Sequence, residues 1–297
     1  MNVTMAENSS NSVLDNLKDW WGFTQEKLGL DNPVIPVVRL FGTITPEQKP
    51  GRINIAGAAP LLEKAFKFKK APAVAIVINS PGGSPVQSRL VSNHIRQLAD
   101  KYEKRALIFI EDVAASGGYF IAVGGDEIFA DPSSIVGSIG VIYAGFGFEE
   151  AIAKIGVKRR IHTAGKSKSQ LDPFVPEKKA DVERLKAFEE DIHQVFIDHV
   201  KLHRGNKLKA ADDVLFTGEW WTGIRGLELG LIDALGDMHT VLRERYGEDM
   251  KLKHIAPKKK LFALPRIGFS SSGALDGIGA ELLGALEDKA LWSRFGL

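Results

Sequence analysis

Ala73-Val74-Ala75-Ile76-Val77-Ile78-Asn79-Ser80-Pro81-Gly82-Gly83-Ser84 is the stretch whose reading decides the fold. Ala73 to Asn79 is almost wholly apolar with no alternation, which marks a strand buried on both faces. A glycine turn follows, and then Val86, Leu90, Val91, Ile95 and Leu98 recur at helical spacing through Tyr102. The pattern repeats at once: Ala106 to Ile110 is a second apolar strand, Ala114-Ala115-Ser116-Gly117-Gly118-Tyr119 a second glycine turn, and a short helix runs through Tyr119 and Ile121. Strands buried on both faces and separated by helices predict an α/β fold with a mostly parallel sheet covered on both sides.

Further elements extend this reading outward. Val34 to Ile44 reads as a strand, with Pro36 pointing to an edge position or a bulge. Glu127 to Ala130, Ile139 to Tyr143 and Val157 to His162 continue the strand series. Pro176 to His203 carries the best helical stripe, and Gly205 stops it; Thr222 to Leu229 and Asp237 to Tyr246 are shorter helices. Three regions result: an amphipathic segment over residues 1–31, a body of enzyme size over 32–249, and residues 250–297, a basic stretch with a Ser/Gly linker leading to an amphipathic helix from about Leu275 to Phe295. The first segment, with Val13, Leu17, Trp20 and Trp21, is expected to pack on the body or a neighbouring subunit, the alternative being peripheral contact with a membrane surface. The last helix is expected to dock on the body or to mediate assembly.

Composition narrows the chemistry. The 297 residues are 44% hydrophobic and 26% charged, which excludes collagen-like and disordered classes. Lys plus Arg number 39 against 37 Asp plus Glu, so no basic excess points to nucleic acid. Cysteine is absent, which removes thiolate nucleophiles and Cys-ligated zinc. His199 and His203 are four apart on the long helix but lack an accompanying Glu, so neither a metal nor a cofactor is expected. Neither a signal peptide nor a run of about 18 apolar residues is legible, and the expected location is cytoplasmic, with peripheral membrane association through residues 1–31 as the alternative to their packing on the protein.

Two consecutive parallel strands ending in glycine turns place backbone N–H groups at the carboxyl rim of the sheet, where open α/β sheets bind ligands. Glycine lets a substrate approach those amides closely, and a helix start adds its positive end. Neither turn matches a phosphate-binding fingerprint. Ser116 stands directly before Gly117, so attack by its hydroxyl would bring the developing oxyanion beside the next N–H, the geometry of acyl transfer. No histidine is well placed as its base; a lysine can serve where burial favours the neutral amine. Thr163-Ala164-Gly165-Lys166-Ser167-Lys168-Ser169 offers two, Lys166 and Lys168, and spacing alone does not choose between them.

The segments Asn79 to Gly83, Ala114 to Tyr119, Gly137 to Val141, Ala164 to Ser169 with Asp172-Pro173-Phe174, and the late Thr217 to Gly223 and Glu228 to Asp233 together resemble the signal peptide peptidase A family of Ser/Lys-dyad endopeptidases on the ClpP/crotonase fold. The resemblance runs from about Val34 to Tyr246. It implies Ser116 as nucleophile, Lys168 as general base, and an oxyanion hole from the Gly83 and Gly117 amides. It also implies a ring-shaped homo-oligomer whose dyad forms across subunits, with a peptide substrate that includes membrane-derived or signal peptides. Ser167 or Ser169 would orient the amine. Relatives usually begin with a membrane anchor, whereas residues 1–31 hold only the amphipathic tryptophan segment. Two other readings share the glycine turns: a crotonase-like acyl-CoA enzyme, which would need a carboxylate from Glu111, Asp112 or Glu127, and a non-catalytic assembly protein.

Overall fold

The computed structural model describes residues 33–165, 167–257, 286 and 288–297. In chain order the body runs β1 (Val34–Phe41), β2 (Thr43–Ile44), β3 (Arg52–Ile53), α1 (Ile55–Phe66), β4 (Ala73–Ser80), α2 (Pro85–Tyr102), β5 (Arg105–Ala115), α3 (Gly117–Ala122), β6 (Glu127–Ala130) and β7 (Ile135–Gly137). There follow α4 (Glu149–Lys154), α5 (Lys179–Arg204), α6 (Asp212–Leu215), β8 (Trp220–Thr222), α7 (Gly223–Leu229), β9 (Ala234–Leu235), α8 (Met238–Tyr246) and β10 (Lys251–Ile255). The main sheet orders its strands β10-β1-β4-β5-β6-β9 with every pairing parallel. β5 is long enough to fork: Leu107 to Ile110 pair with β6, and Val113 to Ala115 pair with β7, which in turn takes β8 antiparallel.

Strand periodicity divides the core. Val74, Ile76 and Ile78 of β4 and Ile108 and Ile110 of β5 face a cluster that includes Leu62 and Phe66 of α1, Val91 and Ile95 of α2, and Phe196 and Val200 of α5. Their odd-numbered neighbours Ala75, Val77, Leu107 and Phe109 face the opposite cluster, closed by Val241, Leu242 and Tyr246 of α8. Helices thus cover both faces, and the α/β class expected from the apolar strands is what the chain adopts.

Some expectations fail for local reasons. The edge position inferred from Pro36 belongs instead to β10; Pro36 sits opposite Lys253, and β1 joins β4 only from Val37 onward, so the missing N–H is tolerated. Ile139 to Tyr143 is not a strand, because Gly137 at φ 102° and Ser138 at φ 54° break the extension that β7 begins. Val157 to His162 is irregular and exposed, having no strand beside it among the described residues. Residues 1–32, Lys166, 258–285 and Glu287 lie outside the described residues, and with them the amphipathic segment expected to pack or to touch membrane. Among the described residues no helix is long and apolar enough to cross a membrane.

Two buried polar contacts lock α5 to the body. Arg204 donates through Nη1 to Asp233 Oδ2 at 2.7 Å and through Nε and Nη2 to the Gly230 carbonyl. Burial works to raise the Asp233 pKa, but Arg204, Lys207 and the Ile128 N–H outweigh it and hold the carboxyl below its ordinary value. His199 stacks on Phe120 with centroids 4.0 Å apart, its Nε2 lying 3.0 Å from Ser92 Oγ and 3.2 Å from the Phe120 carbonyl. Burial is the main reason its pKa is pushed down to about 3.

Between that value and the ordinary histidine value of about 6.5, the unfolded chain binds a proton that the folded chain refuses. The contribution of His199 is therefore complete above about pH 6.5 and falls, as pH drops toward 3, by up to about 1.4 kcal/mol per unit. Urea unfolding between pH 7 and pH 4 is expected to show this slope in the wild type and a shallower one in His199→Gln. Parallel pH profiles for the two would show that the ring does not carry it.

Candidate active site

β4 and β5 run side by side with Ser80 opposite Ala114, so their glycine turns emerge at one rim. The first turn is tied to β2 by a parallel bridge in which Ile44 donates to the Gly82 carbonyl at 2.9 Å and Ser84 donates to the Ile44 carbonyl at 2.7 Å. That pattern uses the backbone groups on either side of Gly83 and turns the Gly83 N–H away from β2. Gly83 has φ 141°, and a Cβ placed there would lie 2.1 Å from the Ile44 carbonyl oxygen. Only glycine fits.

The second turn begins at Ser116, a non-glycine residue held at φ 51°, ψ −120°. Such a conformation costs about 1–3 kcal/mol and persists only where its surroundings enforce it. Here the Ser116 N–H donates to the Gly137 carbonyl at 2.8 Å, and its own carbonyl accepts the first bond of α3 from Phe120 at 2.9 Å. Gly117 is the first residue of α3, so its N–H has no acceptor within the helix. The turns touch: a Cβ on Gly82 would lie 2.9 Å from the Ser116 Cβ and 3.0 Å from the Gly117 nitrogen, and one on Gly117 would lie 3.3 Å from the Gly83 nitrogen. Ser116, Gly83 and Gly117, singled out from the sequence, therefore meet at one point. A half-buried hydroxyl beside two amides free to donate is an arrangement for adding a nucleophile to a carbonyl and stabilising the oxyanion.

All three line a cavity of about 610 Å³ whose walls are mainly apolar, including Val86, Phe120, Ile192 and Phe196. Arg89 and Arg294 also line it, and among the described residues no carboxylate does. Ser138 is a second hydroxyl on the wall, at φ 54° and with its N–H donating to the Glu219 carbonyl at 2.6 Å. Sequence reasoning quoted its segment but missed the residue, because only the pairing of β5 with β7 brings it beside Ser116.

Lys168 is elsewhere. It is exposed on an arm spanning residues 142–178 and does not line the Ser116 cavity. The arm closes on itself through Arg159 with Asp172 at 3.1 Å, the Phe148 N–H with the Pro173 carbonyl at 2.6 Å, and Phe148 against Phe174. Ser169 lines a separate cavity between the arm and the start of α5. The carboxylates an acyl-CoA reading would need are engaged away from Ser116: Glu111 with Arg39, Asp112 with the Asn79 amide, Glu127 with Arg105 and Arg245. Among the described residues no group of three or more His, Asp or Glu side chains is placed to hold a metal ion.

The fold and the Ser116 turn give the geometry expected of a serine-type acyl-transfer site. The sequence pattern of peptidase family S49 matches residues 99–252, and the chain belongs to that family. It is 31% identical over 280 residues to the chloroplastic serine protease SPPA of Arabidopsis thaliana, an alignment covering 90% of this chain and 40% of that one. It is 54% identical over 272 residues to a Brucella abortus protein named Na(+)/H(+) antiporter NhaA, covering 89% of this chain and 37% of that protein. The chain thus spans less than half the length of these relatives. Among solved structures it is similar to a serine-to-alanine mutant of the 1510-N membrane-bound stomatin-specific protease, at 14% identity and a TM-score of 0.43, covering 77% of this chain and 100% of that one.

The glycine requirement is open to test. Gly83→Ala is expected to lower the rate of Ser116 acylation by a fluorophosphonate about 100-fold or more, since its Cβ would collide with the Ile44 carbonyl and push the residue 83 N–H out of place, and loss of one oxyanion donor has that scale. Gly51→Ala, also at positive φ but with nothing within 4 Å, is expected to leave the rate within about twofold once folding is matched. Equal rates in Gly83→Ala and wild type would remove the Gly83 amide from the site.

Proposed function

We propose that the chain is a serine endopeptidase that cleaves extended peptides through an acyl-enzyme. The observation that carries this reading is the strained Ser116 seated between the unspent amides of Gly83 and Gly117 at the end of an apolar groove. The Ser116 hydroxyl attacks the scissile carbonyl carbon while its proton passes to the Lys168 amine. The two amides hold the tetrahedral oxyanion, the C–N bond breaks, and the proton returns to the departing amine. Water then attacks the acyl-enzyme with the same amine as base, releasing the acid and restoring the hydroxyl.

Since Lys168 lies outside the cavity of its own chain, the base comes from a neighbouring copy. Support comes from the arm itself, which exposes Ile142, Phe146, Ile155 and Val157 at 64%, 81%, 73% and 52%. An apolar surface of this kind fits a subunit contact. At such a contact an amine is withdrawn from water, which disfavours its charged form. The apolar groove suits apolar peptide segments, including membrane-derived or signal peptides.

Ser116→Ala and Lys168→Ala are each expected to lower hydrolysis of a fluorogenic apolar peptide by about 1,000-fold or more. Mixing the two inactive variants under conditions that exchange subunits is expected to restore about a quarter of wild-type activity, the share of sites that draw an intact serine and an intact lysine from different chains in random assembly. Retained hydrolysis in either single variant would rule out the dyad, and a mixture of exchanged oligomers that stays inactive would rule out the shared site.

A further inference from the structure

The body does not close the Ser116 groove alone. Leu291, Arg294 and Phe295, on the helix and turn formed by residues 288–297, line it together with Ser116, Gly83 and Gly117. This segment is anchored on both banks of the groove. On one bank Asp288 pairs with Arg52 and accepts from the Thr43 hydroxyl at 3.0 Å, and Trp292 stacks on Phe41 with centroids 5.7 Å apart. These partners belong to β1, β2 and β3, beside the Ile44 bridge that holds Gly83. On the other bank Phe295 meets Trp220 of β8 edge-on at 5.9 Å. The segment therefore spans the carboxyl rim of the sheet from β1 to β8, over the nucleophile.

We infer that residues 288–297 are a self-inhibitory strap, an intramolecular occupant of the substrate groove that an extended peptide must displace to reach Ser116. A substrate backbone that presents its carbonyl to the Gly83 and Gly117 amides has to run along the walls that Leu291 and Phe295 now contribute. A helix this short is marginal by itself in water, so the strap holds its shape only while its ring contacts last. Those contacts are few and sit at the rim, and the chain tethers the strap near the groove, so release and return are both intramolecular. The apolar side chains the strap inserts, Leu291 and Phe295, match the apolar peptides that the groove is proposed to receive.

The inference rests on the peptidase reading for its consequence but not for its occupancy, and the experiment separates the two. The rate at which a bulky peptidyl phosphonate labels Ser116 is compared with that of a small fluorophosphonate, in the intact chain, in Trp292→Ala/Phe295→Ala, and in a chain stopped after residue 285. Removal of the strap is expected to speed peptidyl labelling about tenfold or more, the double variant to follow it part of the way, and the small probe to change less than twofold. Equal peptidyl rates in all three chains would overturn the inference. Should neither probe label Ser116 in any of them, the nucleophile assignment fails, and hydrogen exchange in the intact Ser116→Ala chain decides the strap. Slow exchange of the amides of 289–297 that a saturating non-cleavable apolar peptide accelerates would uphold it, and amides that exchange at the unprotected rate without peptide would refute it.

Discussion

The site depends on a near-collision of two backbones. The turn after β4 and the turn after β5 come close enough that a single methyl group at residue 82 would meet Ala115 and Ser116, while one at residue 83 would meet the Ile44 carbonyl and one at residue 117 the Ser88 hydroxyl. Packing this tight requires glycine, and it requires the parallel pairing of β4 with β5 to bring both turns to one rim. The strain at Ser116 follows from the same constraint. The chain leaves β5, must present a hydroxyl outward, and must start α3 within one residue, so Ser116 takes a conformation that most residues avoid. The Gly137 carbonyl holds it there, which ties the Ser116 turn to β7, the strand that pairs with the end of β5.

Helix α5 supports that arrangement from behind. Its His199 ring lies against Phe120 one turn beyond Ser116, and its Arg204 is anchored through Asp233 and Gly230 to the loop before β9. The Tyr119 hydroxyl donates to the Leu231 carbonyl at 2.7 Å, so the same loop also holds α3. Buried polar contacts of this kind fix one geometry among the several that an apolar core alone would tolerate. The Ser116 turn is thereby backed by buried polar contacts, while the groove in front of it is bordered by Ile142 of the arm and by Leu291, Arg294 and Phe295 of the C-terminal segment.

Much of this was legible in the sequence because it is local. The runs Ala73 to Asn79 and Ala106 to Ile110 announce doubly buried strands, and the serine and glycines that follow them lie within a few residues of the strands that position them. What required long-range pairing was not legible. Ser138 gains its place only when β7 joins β5. Strand β10 escaped notice because Lys251 and Lys253 point outward and hide the pattern of a sheet edge. Helix α1 carries Gly57 and Pro60, both of which argue locally against a helix; the Asn54 side chain capping the Gly57 N–H and the burial of Leu62 and Phe66 outweigh them. Lys168 could be chosen over Lys166 only by resemblance, since the proposed partner hydroxyl is outside any cavity that Lys168 lines in its own chain.

The separation of Lys168 from Ser116 also bears on how such a protein is made safely. Under the proposed shared dyad, a lone chain fresh from synthesis would present a hydroxyl with no amine to activate it, and so would not digest the unfolded chains around it. Competence would then arrive only when copies had accumulated and found one another, which would make proteolysis rise more steeply than in proportion to the amount of protein. Dilution would reverse it. The arm would in this way double as a census device, coupling the onset of cutting to the local abundance of its own kind.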